Sequence, residues 1–231
     1  QLDINQLLQF AAPSFNSNRQ TGSDGSDHVD AASLRGLGPD QTLVLINGKR
    51  RHQSALVNLF GTRGRGNTGT DLNAIPAAAI ERIEILRDGA AAQYGSDAIA
   101  GVINIVLKNR VNELTANVNS GVYVAKYRPD NQAFDGLNYN ANVNYGWKVA
   151  QKGFINVTAD YNHKNHTNRA YAQPNENLVR REYGDPSQDN MALYYNGEAP
   201  VFKQFSIYSF GGVNRRQGDS YAWTRFKDDD R

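Results

Sequence analysis

The sequence has no cysteine, and its 231 residues include one methionine and two tryptophans. Without cysteine, disulfide frameworks, thiolate metal sites and thiol nucleophiles are excluded. Long apolar runs are also missing, because no stretch approaches the roughly 18 to 20 apolar residues that a membrane-spanning helix requires. If the chain crosses a membrane, it therefore does so with β-strands.

A strong charge of either sign is absent as well. The formal net charge is +2, from 25 Lys and Arg residues against 23 Asp and Glu residues. A nearly neutral chain lacks the basic footprint of a nucleic-acid-binding protein and the composition of an acidic solvating tail. We therefore expect no nucleic-acid partner. Hydrophobic residues make up 39% of the sequence, which is enough to form a core.

Up to about residue 110 the sequence mixes short apolar runs with turns rich in Gly, Asn and Asp. Residues 43–46 form a compact apolar run followed by Asn47 and Gly48, which predicts a buried strand entering a tight turn. Alternating and β-branched patterns predict further strands at residues 82–86 and 102–107. Residues 90–94 between them predict one or two helical turns. This half is therefore predicted to be mixed α and β.

From about residue 112 the pattern becomes a strict alternation. In residues 137–149 the odd positions are apolar or aromatic, whereas the even positions are Asn at four places, then Gly146 and Lys148. Residues 114–124 and 154–163 alternate in the same way, and residues 191–201 and 205–215 do so less cleanly. Such strands suit a water-facing antiparallel sheet as well as a membrane barrel, so alternation alone leaves both open.

The connection lengths favour the barrel. The links at residues 150–153 and 200–204 are short, while those at residues 126–136 and 167–188 are long. Barrels of the outer membrane have short periplasmic turns and longer external loops. Aromatic residues also lie near proposed strand ends, where interfacial girdles form; these are Tyr145, Trp147, Tyr194, Tyr195, Tyr221 and Trp223.

Four motifs of the first half carry a family resemblance. They are LRGLG at residues 34–38, LVLING at 43–48, IERIEILRDG at 80–89 and QYGSDAIAGVINI at 93–105. In order and spacing they resemble the plug domain of TonB-dependent outer-membrane receptors. The resemblance is clear over residues 3–109. The second half shares the alternating strand pattern of the family rather than a motif.

The resemblance implies a fold class and a location. It predicts an α+β plug domain over residues 1–110, followed by antiparallel transmembrane β-barrel strands over residues 111–231. Barrels of this family belong to the 22-stranded, plugged class, and the residues after 109 suffice for five or six strands, so we expect a partial barrel. The signal peptide, the TonB box and the first part of the plug would precede Gln1. The expected location is the outer membrane of a Gram-negative bacterium.

The resemblance also implies a function, namely TonB-dependent active uptake of a nutrient ligand, with the plug gating the barrel lumen. Its implied partners are TonB, reached through a segment upstream of Gln1, a small-molecule, glycan or peptide ligand, outer-membrane lipid and a surface lipoprotein. No cofactor is expected. Two other readings stay open: a non-transporting binding or adhesion barrel, and a soluble α/β enzyme with an appended β-sandwich. No catalytic constellation of residues supports an enzyme.

Plug gating is the first role that the resemblance assigns to particular residues. Arg35, Glu81, Glu84 and Arg87 stand where the family has charged residues that face the barrel wall. Charge pairs inside a polar lumen can hold a plug closed and still be broken by pulling. The alternative is that these four residues are ordinary solvated charges of a strand.

Ligand contact is the second such role. Residues 49–70 are rich in Gly, Asn and Arg, and by resemblance they span externally directed plug loops. The candidates are Arg50, Arg51, His52, Arg63 and Arg65, because cationic side chains can grip carboxylate or phosphate groups. The alternative is a flexible loop with ordinary surface charge.

A metal site is not expected. His163 and His166 invite a metal hypothesis together with Asp160, but at strand spacing the two histidines point to opposite faces.

Overall fold

The structure is a computed structural model of the chain. It describes residues 4–17, 20–22, 25–29, 31–59, 64–125, 133–170, 183–202 and 205–221. An α+β unit precedes residue 111, and a five-stranded antiparallel sheet follows it. None of the helices in these ranges is long and apolar enough to cross a membrane.

The α+β unit begins with a short amphipathic helix and a two-stranded sheet. Helix α1 (Ile4–Ala11) buries Ile4 and Leu8 while Phe10 remains 92% exposed. Strand β1 (Phe15–Asn16) pairs with β2 (Ser33–Leu34) in antiparallel fashion. The helix and this small sheet therefore share the core of the unit, because Phe15 is also buried there.

A four-stranded mixed sheet forms the centre of the unit. Its two central strands in spatial order are parallel to each other, and each of them pairs in antiparallel fashion with its outer neighbour. The predicted turn is confirmed, because Asn47 and Gly48 both have positive φ, at 48° and 76°. The spatial order is β4-β3-β6-β5, with β3 at Thr42–Ile46, β4 at Lys49–Arg50, β5 at Ile80–Leu86 and β6 at Gly101–Leu107.

Short helical segments connect these strands. Helix α2 (Ala90–Tyr94) lies where the sequence predicted a short helix and ends at Gly95, as expected. Short 3₁₀ helices occupy Ser26–His28, Pro39–Gln41, Leu72–Ala74, Ala77–Ala79 and Ser96–Ala98.

Strand β3 is buried along its whole length because both of its faces are covered. Leu43 and Leu45 pack with Ala90 of α2 in one cluster. Val44 and Ile46 point the other way, into the main cluster of the unit. A strand covered on both faces requires a continuous apolar run, which is what the sequence shows here.

The second half is an antiparallel meander of five long strands, in agreement with the five or six expected. Spatial order follows chain order, from β7 to β11. The connections at residues 150–152 and 203–204 are short, and the longer connections meet the opposite end of the sheet. The strands are β7 (Leu114–Val124), β8 (Phe134–Val149), β9 (Gly153–Lys164), β10 (Ser187–Phe202) and β11 (Phe205–Asp219).

In this sheet the apolar face is exposed and the polar face is buried, which is the reverse of a soluble β-sandwich. Val143 is 42% exposed and Trp147 49% exposed, whereas Asn142 is 6% exposed and Asn144 3% exposed. The apolar face therefore points outward and the amide face points toward the α+β unit. This arrangement agrees with strands that face lipid on one side and a filled lumen on the other.

Two of the predicted girdle aromatics are wrong, because Tyr194 and Tyr195 lie in the middle of β10 (Ser187–Phe202) and not near a strand end. Trp147 and Tyr195 lie on the outer face, with Tyr195 40% exposed, but Tyr194 is only 4% exposed and packs in the core of the α+β unit. Its even-numbered position places it on the inner face of β10. Trp223 lies outside the described residues.

Candidate plug and wall interface

Hydrogen-bonded side chains cover the inner face of the sheet. Asn144 Nδ2 donates to Asn156 Oδ1 at 2.6 Å and to Thr158 Oγ1 at 2.7 Å. All three of these residues are buried. Buried polar groups are tolerated when they are hydrogen-bonded in this way. The amides thus form a dry but polar wall against which the α+β unit packs.

In the middle of the interface the contact is apolar. Ala192 and Tyr194 of β10 belong to the same buried cluster as Val44 and Ile103 of the central sheet. Gly212 lies opposite Tyr194, where a Cβ atom would stand 2.4 Å from the Tyr194 ring. The absence of a side chain at position 212 therefore lets the ring lie flat on β11.

At the end of the sheet near the short connections, Asn47 joins the two units. Its Oδ1 accepts from Leu107 N at 2.9 Å, and its Nδ2 donates to Tyr208 Oη at 2.6 Å. Asn196 Nδ2 of β10 donates to Lys108 O at 3.0 Å. We call Asn47, Asn196 and Tyr208 the amide clasp. All of its groups are neutral.

The connection between the units is also held on the wall. The carbonyl oxygen of Arg110 accepts from Asn156 Nδ2 at 2.9 Å, and Asn112 N donates to Gly146 O at 2.7 Å. A Cβ atom at Gly146 would stand 1.9 Å from the Arg110 oxygen. The chain thus passes against β8 at a point where only glycine leaves room.

At the opposite end, near the long connections, an ion pair joins the units. Arg216 Nη1 of β11 donates to Asp71 Oδ2 at 2.7 Å and to His28 O at 2.6 Å. The side chains of Arg216 and Asp71 are 13% and 16% exposed. Ser220 Oγ lies 2.6 Å from His28 Nε2. We call Asp71, His28, Arg216 and Ser220 the charged clasp.

Three of the four predicted gating residues lie on the surface of the α+β unit, and Glu81 is half-buried. Glu81 Oε1 accepts from Arg110 Nη2 at 2.7 Å, so it holds the residue whose carbonyl contacts the wall. Hydrogen bonds from Asn104 and from Arg82 lower the pKa of Glu84.

Arg35 lies elsewhere on the unit. Its Nη1 donates to the carbonyl oxygen of Arg87 at 3.0 Å and lies 3.8 Å from Asp88. The structure therefore brings Arg35 and Arg87 together and leaves Glu81 and Glu84 in separate contacts.

The predicted ligand residues differ in their surroundings. Arg50 forms an ion pair with Asp97 and donates to Tyr94 O at 2.5 Å, so its guanidinium faces the unit. Arg51 is half-buried, and Arg65 is exposed. Arg63 lies outside the described residues.

His52 is exposed beside Arg51. The charge of Arg51 lowers the pKa of His52, and partial burial lowers it further. The imidazole is therefore neutral at neutral pH and offers a hydrogen-bonding group rather than a charge.

The two histidines considered for a metal do not meet. His163 lies 2.8 Å from Asp189 and 2.8 Å from Asn165, whereas His166 stacks on Tyr221 with ring centroids 4.5 Å apart. Within the described ranges no group of three or more His, Cys, Asp or Glu side chains could hold a metal ion.

Sequence reasoning missed the residues that join the two units. Asn47 was noticed only as a turn residue, and Asp71 and Arg216 were not singled out. The one available signal was that Asp71 follows the loop and precedes a 3₁₀ helix, which it caps by accepting from Asn73 N, the amide of the second helical residue, at 3.0 Å. Nothing in the sequence indicated that Arg216 would meet it.

An α+β unit packed on the polar inner face of an outward-apolar antiparallel sheet defines a plugged outer-membrane barrel. Residues 1–102 match the TonB-dependent Receptor Plug Domain family. The chain is 43% identical over 101 residues to the probable TonB-dependent siderophore receptor PirA of Acinetobacter baumannii, covering 44% of this chain and 13% of that protein. It is 31% identical over 137 residues to the vitamin B12 transporter BtuB of Vibrio cholerae, covering 59% and 19%.

The fold agrees with solved receptors. The ferric enterobactin receptor PfeA of Pseudomonas aeruginosa superposes with a TM-score of 0.67 at 22% identity, over 94% of this chain and 31% of that chain. The chain thus spans under a third of PfeA and less than a fifth of the two curated relatives. Residues 1–102 of the chain therefore match a plug domain of the TonB-dependent receptors, proteins located in the outer membrane of Gram-negative bacteria.

Proposed function

We propose that the protein mediates TonB-dependent active uptake of a nutrient ligand and that the plug, residues 1–110, gates the lumen of a barrel that begins with residues 111–231. The supporting observation is that the core of the plug continues into the wall, because Ala192 and Tyr194 pack with Val44. A solute could not pass along this part of the wall unless the plug moved or changed shape.

The cationic loop residues are proposed to meet the ligand. Arg51 and His52 are better candidates than Arg50, whose guanidinium is already paired with Asp97, and Arg63 and Arg65 stay candidates from the sequence. A neutral His52 beside the charged Arg51 suits a ligand that carries both an anionic group and a hydrogen-bonding group. One relative is named a siderophore receptor and another a vitamin B12 transporter, so the relatives favour a metal-chelate ligand without choosing one.

Arg35, Glu81, Glu84 and Arg87 are proposed to take part in seating and releasing the plug. Glu81 is the strongest of these candidates, because it binds Arg110, whose carbonyl is hydrogen-bonded to Asn156 of the wall. Movement of β5 would thus be transmitted to strand β9 of the wall.

The uptake proposal is tested in cells that express the full-length protein, with and without TonB. Ligand that co-purifies with the protein is identified by mass spectrometry, labelled, and offered to both strains. We expect binding in both strains and accumulation only where TonB is present. Binding without TonB-dependent accumulation would instead indicate a non-transporting binding barrel.

The role of Glu81 is tested with Glu81→Gln and with Glu113→Gln as a matched control. Both carboxylates contact Arg110, but Glu113 neighbours it in the chain, at 3.3 Å. We expect the Glu81 variant to alter the uptake rate several-fold with unchanged ligand affinity and the Glu113 variant to behave as the wild type. Equal effects of the two variants would show that Glu81 has no specific role in gating.

A further inference from the structure

At the charged clasp a pair of largely buried charges joins the plug to the wall. Asp71 belongs to the plug and Arg216 to β11, and their side chains are 16% and 13% exposed. A buried ion pair is costly to form, since both ions must leave water, and breaking it by removing one partner is costly as well. Such a pair therefore specifies one docking position for the plug.

Asp71 contacts two separate segments of the plug at this point. Its carboxylate also accepts from Asn73 N at 3.0 Å, which caps the 3₁₀ helix Leu72–Ala74. Its backbone forms a bridge with Ala31. Arg216 reaches the other segment as well, because it donates to the carbonyl oxygen of His28. One wall residue thus joins the segment of His28 to that of Asp71.

Only one nitrogen of the Arg216 guanidinium, Nη1, donates to the plug. Its Nε and Nη2 atoms are buried and have no hydrogen-bond partner, so both contacts that Arg216 makes with the plug fall on Nη1. Burial raises the pKa of Asp71, and the charge of Arg216 opposes that rise. A pair with unused donors and a poorly solvated carboxylate is held less firmly than a bidentate pair would be.

The amide clasp at the other end is different. Its contacts are neutral, and they involve Asn47, which also hydrogen-bonds strand β6 through Leu107 N. The amide clasp is thus built into the central sheet, whereas the charged clasp holds segments outside that sheet.

We propose that Asp71 and Arg216 are positioning residues that latch the outer part of the plug, residues 26–34 and 70–75, onto the barrel wall in the closed state. The proposal rests on the plug-gating function above. Opening of the latch would free these two segments while β3 and β6 stay docked through the amide clasp.

Hydrogen exchange on the full-length protein in detergent micelles tests the latch without any ligand. The variants are Asp71→Asn, Arg216→Gln and the double variant, and Asp97→Asn is the control, since it breaks the plug-internal pair with Arg50. We expect each single variant to raise amide exchange at residues 26–34 and 70–75 at least 10-fold. The exchange of β3 and β6 should stay unchanged.

The double variant separates a pairwise latch from two unrelated defects. If the two side chains act on each other, the double variant exchanges much less than the product of the single effects predicts. Unchanged exchange in the single variants, or effects that multiply, would overturn the latch. Should Arg216→Gln fail to insert into the membrane, Asp71→Asn alone decides. Failure of uptake in cells would count against the proposed function and would leave these exchange results standing.

Discussion

The outward apolar face can be tested by a single charge at the middle of β8. Val143 lies on that face and is 42% exposed, between Ala116 of β7 and Ala159 of β9. It stands six residues before Val149, where β8 ends. At about 3.3 Å per residue and a tilt of about 45°, that separation corresponds to a depth of roughly 14 Å. Val143 is therefore close to the centre of an apolar band about 25 Å tall.

Val143→Arg is expected to destabilise the full-length protein by about 2–4 kcal/mol, the cost of a cation at the bilayer midplane. Val149→Arg is the matched control, because it makes the same change on the same face beside the short connection. There the cost should fall to roughly 0–1 kcal/mol, since the side chain reaches the interface.

The measurement is urea unfolding of both variants from lipid vesicles, followed by tryptophan fluorescence. A soluble sheet would give another result, because a half-exposed valine on a water-facing strand tolerates arginine within about 0.5 kcal/mol. Equal midpoints for Val143→Arg and the wild type would therefore refute a lipid-facing position for this residue.

Three further predictions concern the plug–wall interface and the cationic loop. Gly146→Val should destabilise by about 1–3 kcal/mol or more, because its Cβ would collide with the Arg110 carbonyl, and thermal unfolding measures the loss. Asn47→Ala should cost about 1–3 kcal/mol in the same assay by leaving the backbone N–H of the buried Leu107 unpaired. His52 should titrate below 6.5 by NMR, since Arg51 disfavours its protonation. Because the folded state then binds fewer protons than the unfolded state, acidification through that range should lower the stability.

The strands were predictable because each carries its own periodic pattern. Residues 114–124 alternate strictly and form β7 with the same bounds. The run at residues 43–46 is continuous because β3 is covered on both faces. In both cases the local pattern reflects the environment of one element, so no knowledge of its neighbours was needed.

The contacts between plug and wall were not predictable in this way. Asp71 and Arg216 are separated by 145 residues, and neither sits in a pattern that requires a partner. Tyr194 was misplaced for the same reason, since its distance from a strand end does not reveal which face it occupies. Only the alternation of β10 with its neighbours decides that face, and this alternation is weak in the sequence.

Helix α1 is linked to both the charged clasp and the central sheet. Under the proposed function, TonB pulls on the plug from the side of this helix. Asn5 Nδ2 of α1 donates to Asn73 Oδ1 at 3.3 Å, next to Asp71, while Ile4 and Leu8 pack in the same cluster as Val44. The wall holds the His28 segment through Arg216 Nη1 and Ser220 Oγ, whereas the amide clasp is anchored in β3 and β6. We therefore expect a pull on α1 to load the Asp71 segment through Asn73, at the contact where Arg216 keeps two donors unused.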